Sequence, residues 1–280
     1  MTSTAPSGEF LDRILERKRV EIGRRKRHEK QLAALVEAAG ERQERGTFAI
    51  ERLRRASTDA VPKVIAEIKR RSPSAGEIRK REHGDIARIA RGYAAGGASA
   101  VSVLCDGPGF GGSVLDLRRA TRAIDVPVLF KEFVLDPLQI ELARISGAHM
   151  VLLLVRALEP NELHALVAHA HAAGLAPVVE AADEHELSVA LATDATIVGV
   201  NARDLRTFRV DPAYARRVLD VIPSERIAVL MSGITSAEQI IALAGSRADA
   251  VLVGEGLMRA SDPGARLRSW LDEARAAVAS

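Results

Sequence analysis

Cysteine is almost absent from this 280-residue chain, and Cys105 alone excludes an intrachain disulfide framework and a cysteine-rich metal site. A reducing, cytoplasmic setting is the expectation. Aromatic residues make up only 3% of the sequence. The core must therefore be built from Ala, Val, Leu and Ile, and a stacking platform for single-stranded nucleic acid is lacking. Long hydrophobic runs are missing too: no segment approaches the roughly 18 uninterrupted apolar residues of a membrane span, and the opening MTSTAPSGEFLDRILERKR has no apolar core of a signal peptide. Neither export nor membrane insertion is expected. Net charge is a mere +3. Basic residues do cluster over 16–30, ERKRVEIGRRKRHEK, but interspersed glutamates dilute the field that nucleic acid needs. That stretch reads as a solvated helical face, with no nucleic-acid partner.

What is present is an ordinary globular composition, 47% hydrophobic and 28% charged, with one strong rhythm. From Val61 onward, short β-branched runs alternate with amphipathic helical stretches, the pattern of a parallel sheet. Eight strands are expected: Val64–Lys69, Ala100–Leu104, Pro127–Lys131, His149–Leu154, Ala176–Glu180, Thr196–Asn201, Ile227–Met231 and Ala250–Gly254. Helices are expected over Asp85–Ala95, Val114–Ala123, Pro137–Ser146, Pro160–Ala173, Glu184–Leu191, Pro212–Val221, Ser236–Ala244 and Pro263–Val278. Asp136-Pro137, Glu159-Pro160, Asp211-Pro212 and Asp262-Pro263 put a carboxylate before a first-turn proline, and Gly96, Gly147 and Gly174 stop helices. Eight units of this kind point to an α/β fold, a closed (β/α)8 TIM barrel, more than to an open doubly wound sheet. Residues 1–60 do not fit the rhythm. They read as helices, Phe10–Arg27 and Lys30–Ala39, in an extension packed on a catalytic barrel of residues 61–280.

Strand parity then isolates a set of charges. In Val64–Lys69, Val64, Ala66 and Ile68 form one apolar face that must meet the helices, so Glu67 and Lys69 point into the barrel. An unpaired charge there is costly. Lys131, Glu180 and Asn201 point inward by the same reasoning, each beside an outward apolar neighbour, Phe130, Val179 or Val200. In such barrels catalytic groups come from the C-terminal ends of several strands. Any one of these residues alone would read equally well as half of a structural ion pair; the convergence of five favours a site. Lysine and glutamate in one enclosed pocket suit general acid and base work.

The loops after strands seven and eight read Met231-Ser232-Gly233 and Gly254-Glu255-Gly256. Backbone N–H groups of such loops, with a helix start behind them, form the phosphate site typical of this fold. The segment 107–112, GPGFGG, reads as a mobile loop over the pocket, with Phe110 available to pack on a flat substrate. Its glycines do not make a dinucleotide fingerprint. His164, His169 and His171 share one helix without a carboxylate cluster and read as surface residues. Cys105 reads as a buried core thiol.

These residues carry a resemblance to the indole-3-glycerol phosphate synthase family, running from Phe10 to Leu271. Its most specific motifs are Ala66-Glu67-Ile68-Lys69-Arg70-Arg71-Ser72-Pro73-Ser74 and Gly199-Val200-Asn201-Ala202-Arg203-Asp204-Leu205. Phe110-Gly111-Gly112-Ser113, Leu129-Phe130-Lys131-Glu132-Phe133, Val179-Glu180 and Leu252-Val253-Gly254-Glu255 support it. The resemblance implies closure of 1-(2-carboxyphenylamino)-1-deoxyribulose 5-phosphate to an indole, with loss of carbon dioxide and water. It implies no metal or cofactor, a small phosphorylated molecule as the only partner, and a monomer or weak homo-oligomer. Lys131 would be the general acid at the ketose carbonyl oxygen, Glu180 would assist dehydration, and Lys69 would bind substrate and donate a proton. Glu67 and Asn201 would orient these groups. Ser72 and Arg203 would hold anionic groups, Phe110, Phe133 and Leu205 would form the slot for the aromatic ring, and Ser232, Gly233, Gly254 and Glu255 would hold the phosphate.

One departure stands out. The family has Glu-Ser-Gly after strand seven, whereas this chain has Met231-Ser232-Gly233. A carboxylate at the substrate site has become a thioether, and a paralogue with weakened catalysis that binds a phosphorylated metabolite is the competing reading. Intact Glu67, Lys69, Lys131, Glu180 and Asn201 argue against it. The related phosphoribosylanthranilate isomerase barrel is disfavoured by the Glu67-x-Lys69 pair and by the N-terminal extension.

Overall fold

The computed structural model describes residues 7–38, 44–73, 75–201 and 212–279. Eight parallel strands close on themselves in sequence order: β1 (Lys63–Ile68), β2 (Ala100–Leu104), β3 (Val128–Lys131), β4 (Met150–Leu154), β5 (Ala176–Ala181), β6 (Ile197–Asn201), β7 (Ile227–Met231) and β8 (Ala250–Val253). The first and last pair in register, Ile65 opposite Leu252, so no sheet edge is left open. Every expected strand is present, with ends within a residue of those read from the sequence.

Parity divides the core as expected. Ile65, Leu129, Met150, Leu152, Val178, Ile197, Val229 and Leu252 form an inner cluster that fills the barrel. Val64, Ala66, Val101, Phe130, Val151, Val179, Val200 and Leu230 belong to the outer layer, packed against the helices. Outside run α4 (Asp85–Ala95), α5 (Val114–Thr121), α6 (Pro137–Ile145), α7 (Pro160–Ala172), α8 (Glu184–Leu191), α9 (Pro212–Asp220), α10 (Ala237–Ile241) and α11 (Pro263–Ala279). The proline signals act as caps: the Asp136 side chain accepts from Leu138 N at 2.9 Å, and Asp262 accepts from Gly264 N and Ala265 N, both at 3.0 Å. Asp211 lies outside the described residues. Gly147 and Gly174 take positive φ as helix stops, but at the end of α4 it is Gly97, not Gly96, that does so. Gly96 serves packing instead, since a Cβ there would lie 2.5 Å from the Gly264 carbonyl oxygen of α11.

Two N-terminal helices, α1 (Ser7–Lys26) and α2 (Glu29–Ala38), match expectation, while α3 (Arg45–Leu53) does not figure in the sequence reading. Ala49 and Leu53 of α3 join the inner cluster and close the N-terminal end of the barrel. Three local features add to or correct the sequence reading. Arg71–Ser72 pairs antiparallel with Gly76–Glu77. The GPGFGG segment does lie over the cavity, through Phe110, and within it Gly107–Phe110 is a single helical turn, capped by Asp106 accepting from Gly109 N at 2.7 Å. The basic stretch 16–30 is not a uniformly solvated face, because Lys18 is only 2% exposed.

Candidate active site

At the C-terminal end of the barrel the strand ends, their loops and α1 enclose one cavity. Its walls include Glu67, Lys69, Ser72, Phe110, Lys131, Phe133, Glu180, Asn201, Met231, Ser232, Gly233, Gly254 and Glu255. Of the residues singled out from sequence, only Arg203 and Leu205 are not among them, and both lie outside the described residues. His164, His169 and His171 are on α7 on the barrel's outer layer, and His169 pairs with Glu141 at 3.0 Å. Cys105 is buried, and burial pushes its thiol well above the ordinary range.

The charges in the cavity form two connected groups. Lys131 Nζ lies 3.4 Å from Glu180 Oε2, Asn201 Nδ2 donates to Glu180 Oε1 at 2.8 Å, and Ser232 Oγ donates to Asn201 Oδ1 at 2.8 Å. This chain runs across the ends of four strands' worth of sequence and holds the Glu180 carboxylate by both oxygens. Lys69 Nζ pairs with Glu67 Oε1 at 2.8 Å. The carboxylates are nearly enclosed, at 7% and 3% exposure for Glu180 and Glu67, whereas Lys131 and Lys69 keep 17% and 19%. Both ammonium groups thus reach the open part of the cavity while their partners stay behind them.

Each group depends on local backbone. Gly254 stands beside Glu67, and a Cβ at Gly254 would lie 2.6 Å from Glu67 Oε1, so only glycine leaves the carboxylate its room. Lys69 is anchored through its neighbour Arg70, which is buried and donates to Asp85 at 2.6 Å and Asp116 at 3.1 Å, at the starts of α4 and α5. Ser232 adopts φ 94°, a conformation costing on the order of 1 kcal/mol outside glycine, and Gly233 follows at φ 90°. Strain of this kind persists where surrounding contacts over-determine it, here the Ser232–Asn201 bond. The Glu255 carboxylate turns away to Arg259 at 2.8 Å, so its contribution to an anion is limited to the backbone at the start of the turn Glu255–Met258.

The remaining walls are apolar. The rings of Phe110 and Phe133 stand 6.1 Å apart between centroids, and Phe10, Leu11 and Ile14 of α1 complete that side. Met231 is 1% exposed and belongs to the inner apolar cluster. It packs against Gly199, where a Cβ would lie 2.7 Å from the Met231 side chain. The N-terminal helical segment was expected to cover this end of the barrel, and Phe10, Leu11 and Ile14 line the cavity, but the burial of Lys18 was not expected. The signal was present: Leu11, Leu15, Lys18 and Ile22 follow the spacing of one helix face, which puts a lysine on an apolar stripe.

Comparisons with known proteins agree with one another. A family model described as "Indole-3-glycerol phosphate synthase" matches residues 11–270. A protein of that name from Burkholderia multivorans is 41% identical over 259 residues, covering 92% of this chain and 97% of its own. One from Mycobacteroides abscessus is 44% identical over 200 residues, 71% of this chain and 73% of the relative. Among solved structures, 3-hexulose-6-phosphate synthase from Salmonella typhimurium superposes with a TM-score of 0.58 at 16% identity, over 76% of this chain and 99% of that one. Thiamine phosphate pyrophosphorylase from Pyrococcus furiosus gives 0.54 at 15%, over 79% and 98%. Those two likenesses concern the fold alone.

Proposed function

This chain belongs to the indole-3-glycerol phosphate synthase family, and we propose that the cavity at the C-terminal barrel end is where it closes 1-(2-carboxyphenylamino)-1-deoxyribulose 5-phosphate to indole-3-glycerol phosphate. The observation that carries the assignment of roles is the arrangement of Lys131 and Lys69, each exposed to the cavity and each backed by an enclosed carboxylate.

Ring closure joins the carboxyl-bearing aromatic carbon to the ketose carbonyl carbon, and the carbonyl electron pair moves to oxygen. Lys131 gives that oxygen a proton; an ammonium aimed at a developing oxyanion is the kind of preorganised stabilisation that lowers such a barrier. Carbon dioxide then leaves, and its bonding pair restores the aromatic ring. Dehydration follows: the new hydroxyl departs as water with a proton from Lys69, while Glu180 takes the proton released from the adjacent methylene carbon. Asn201 and Glu67 orient Glu180 and Lys69 through the bonds described above.

The aromatic ring packs against the wall made by Phe110 and Phe133, with Leu205 adding to the slot. Ser72 and Arg203 hold anionic groups of the substrate. The phosphate sits on the backbone of Ser232, Gly233, Gly254 and Glu255, in loops following β7 and β8, where this fold commonly binds phosphate. Met231 leaves the wall beside Asn201 apolar where the family motif has an acid. The chain works as a cytoplasmic enzyme of tryptophan biosynthesis, as a monomer or weak homo-oligomer, without metal or cofactor.

Adding the carboxyphenylamino-deoxyribulose phosphate to the purified protein and following indole fluorescence tests the reading. Steady product formation that Lys131→Ala abolishes is expected. No product from the parent would overturn the activity, and equal rates for the two proteins would overturn the role of Lys131.

A further inference from the structure

The inner face of α1 carries a buried cluster that the chemistry above does not use. Lys18 Nζ lies 3.0 Å from Glu132 Oε2, 3.1 Å from Asp106 Oδ1 and 3.0 Å from Glu21 Oε2, and Arg17 adds a 2.7 Å contact to Asp106 Oδ1. Lys18, Asp106 and Glu132 are 2%, 0% and 6% exposed. Burying an ammonium with two carboxylates gains little stability over an apolar packing of equal volume. The geometry shows another use.

Each buried carboxylate turns one oxygen to Lys18 and the other to the backbone of a loop that carries a cavity aromatic. Asp106 Oδ2 accepts from Gly109 N at 2.7 Å, one residue before Phe110. Glu132 Oε1 accepts from Phe133 N at 2.7 Å, and Glu132 directly follows Lys131. One to two turns before Lys18 on the same helix, Phe10, Leu11 and Ile14 form the third wall. A single ammonium therefore joins the three elements that bound the apolar side of the cavity: α1, the end of β2 and the end of β3.

We propose that Lys18 is a positioning residue for the aromatic moiety of the substrate, fixing the separation of Phe110, Phe133 and the α1 wall and so governing KM more than the chemical step. The inference rests on the activity proposed above, and it adds a dependence on pH. Glu132 is faced by Lys18, Glu21 and Arg25 of α1, by Cys105 and Asp106 beyond β2, and by Gln139 of α6. Burial, helped by Asp106 and opposed by Lys18 and the Phe133 N–H, pushes its carboxyl up to about 7. Lys18 moves the opposite way to what its own burial favours: three carboxylates around one ammonium outweigh desolvation and hold it above its ordinary value. Lys18 therefore stays charged while Glu132 titrates. Protonating Glu132 weakens its bond to Lys18, so KM is expected to rise as pH falls through about 7.

The test measures kcat, KM and Tm of the full chain, of Lys18→Met and of Glu132→Gln across about pH 6 to 8.5. Lys18→Met is expected to raise KM about tenfold with kcat within about threefold. Glu132→Gln keeps an acceptor for Phe133 N and should hold KM at the parent's low-pH value throughout. If Lys18→Met does not fold, Glu132→Gln decides alone through its pH profile. KM within twofold of the parent at every pH, in whichever variants fold, would overturn the proposal. A parent with no turnover would instead overturn the activity itself.

Discussion

The two ends of this barrel use cationic side chains for opposite purposes. At the C-terminal end, Lys131 and Lys69 are backed by side-chain carboxylates and face a cavity. At the N-terminal end several arginines end on backbone carbonyls. Arg247 donates to the carbonyls of Ile222, Pro223 and Arg226 at 2.9, 2.6 and 2.7 Å. Arg226 reaches those of Thr193 and Ala195 at 3.0 and 2.5 Å, past the end of α8. Arg55 does the same for Ala244, Ser246 and Ala248 after α10. Carbonyls in the turns between helix and strand belong to neither ladder and need a partner when buried, and a guanidinium's fixed fork of donors satisfies several at once. A lysine's single flexible ammonium suits a group that must meet a substrate. The lesson is that a buried cation signals chemistry when its partners leave it a free direction, and architecture when they do not.

The largest expected effect tests the first half of that comparison. Lys131→Ala should lower kcat by about 10²–10⁴, the range of a lost general acid, while Tm changes little because Glu180 keeps its bond from Asn201. A Tm loss in parallel with activity would show Lys131 to be architectural after all. The second half is tested by Arg247→Met. Three carbonyls and Asp249, 2.7 Å away, lose a charged donor, and unfolding should become easier by about 2–4 kcal/mol, with kcat and KM unchanged in protein that remains folded. A fall in kcat without loss of Tm would break the contrast between the ends.

How far this division was legible in the sequence follows from what each signal reports. Strand parity depends on alternation alone, so Glu67, Lys131 and Glu180 could be assigned inward from the apolar residues beside them. The Asp-Pro and Glu-Pro pairs marked helix starts because capping is local. Helix α3 escaped since no side chain caps the start of RGTFAIERL, and its second residue is Gly46, whose value is a close approach: a Cβ there would lie 2.6 Å from Ala176 N of β5. Lys18 escaped for a different reason. Its burial depends on Asp106 and Glu132, which are 88 and 114 residues away along the chain, and no local pattern reports such a meeting.

Met231 sharpens the comparison at its most ambiguous point, where the catalytic end carries an inward residue of the core type. Met231→Glu should lower Tm, because a carboxylate would enter a position that is 1% exposed and lined by the inner apolar cluster. It should also raise turnover, by up to about tenfold, as an acid comes to stand beside Asn201. Equal turnover would make the position dispensable to catalysis. Loss of both turnover and stability would show that the apolar wall of this chain has been repacked around the thioether.

The smallest effect belongs to the N-terminal end and concerns pH. His149 Nδ1 accepts a hydrogen bond from Val128 N at 3.2 Å, at the start of β3, and its ring lies 6.0 Å from that of Phe48. Burial, with Arg45 nearby, lowers its pKa to about 4. Protonation would set an N–H against the Val128 N–H, which fits that direction. A folded-state value below the unfolded one means that the unfolded chain takes up the proton first. Stability from this site is therefore complete above about 6.5 and is lost as pH falls from there toward 4. His149→Leu should flatten the acid limb of the Tm profile in that window by on the order of 5 °C, after a uniform loss from leaving Val128 N without its acceptor. The profile of kcat should not change, since this histidine is at the end of the barrel away from Lys131. An acid limb that persists unchanged in the variant would assign it instead to carboxylates elsewhere in the molecule.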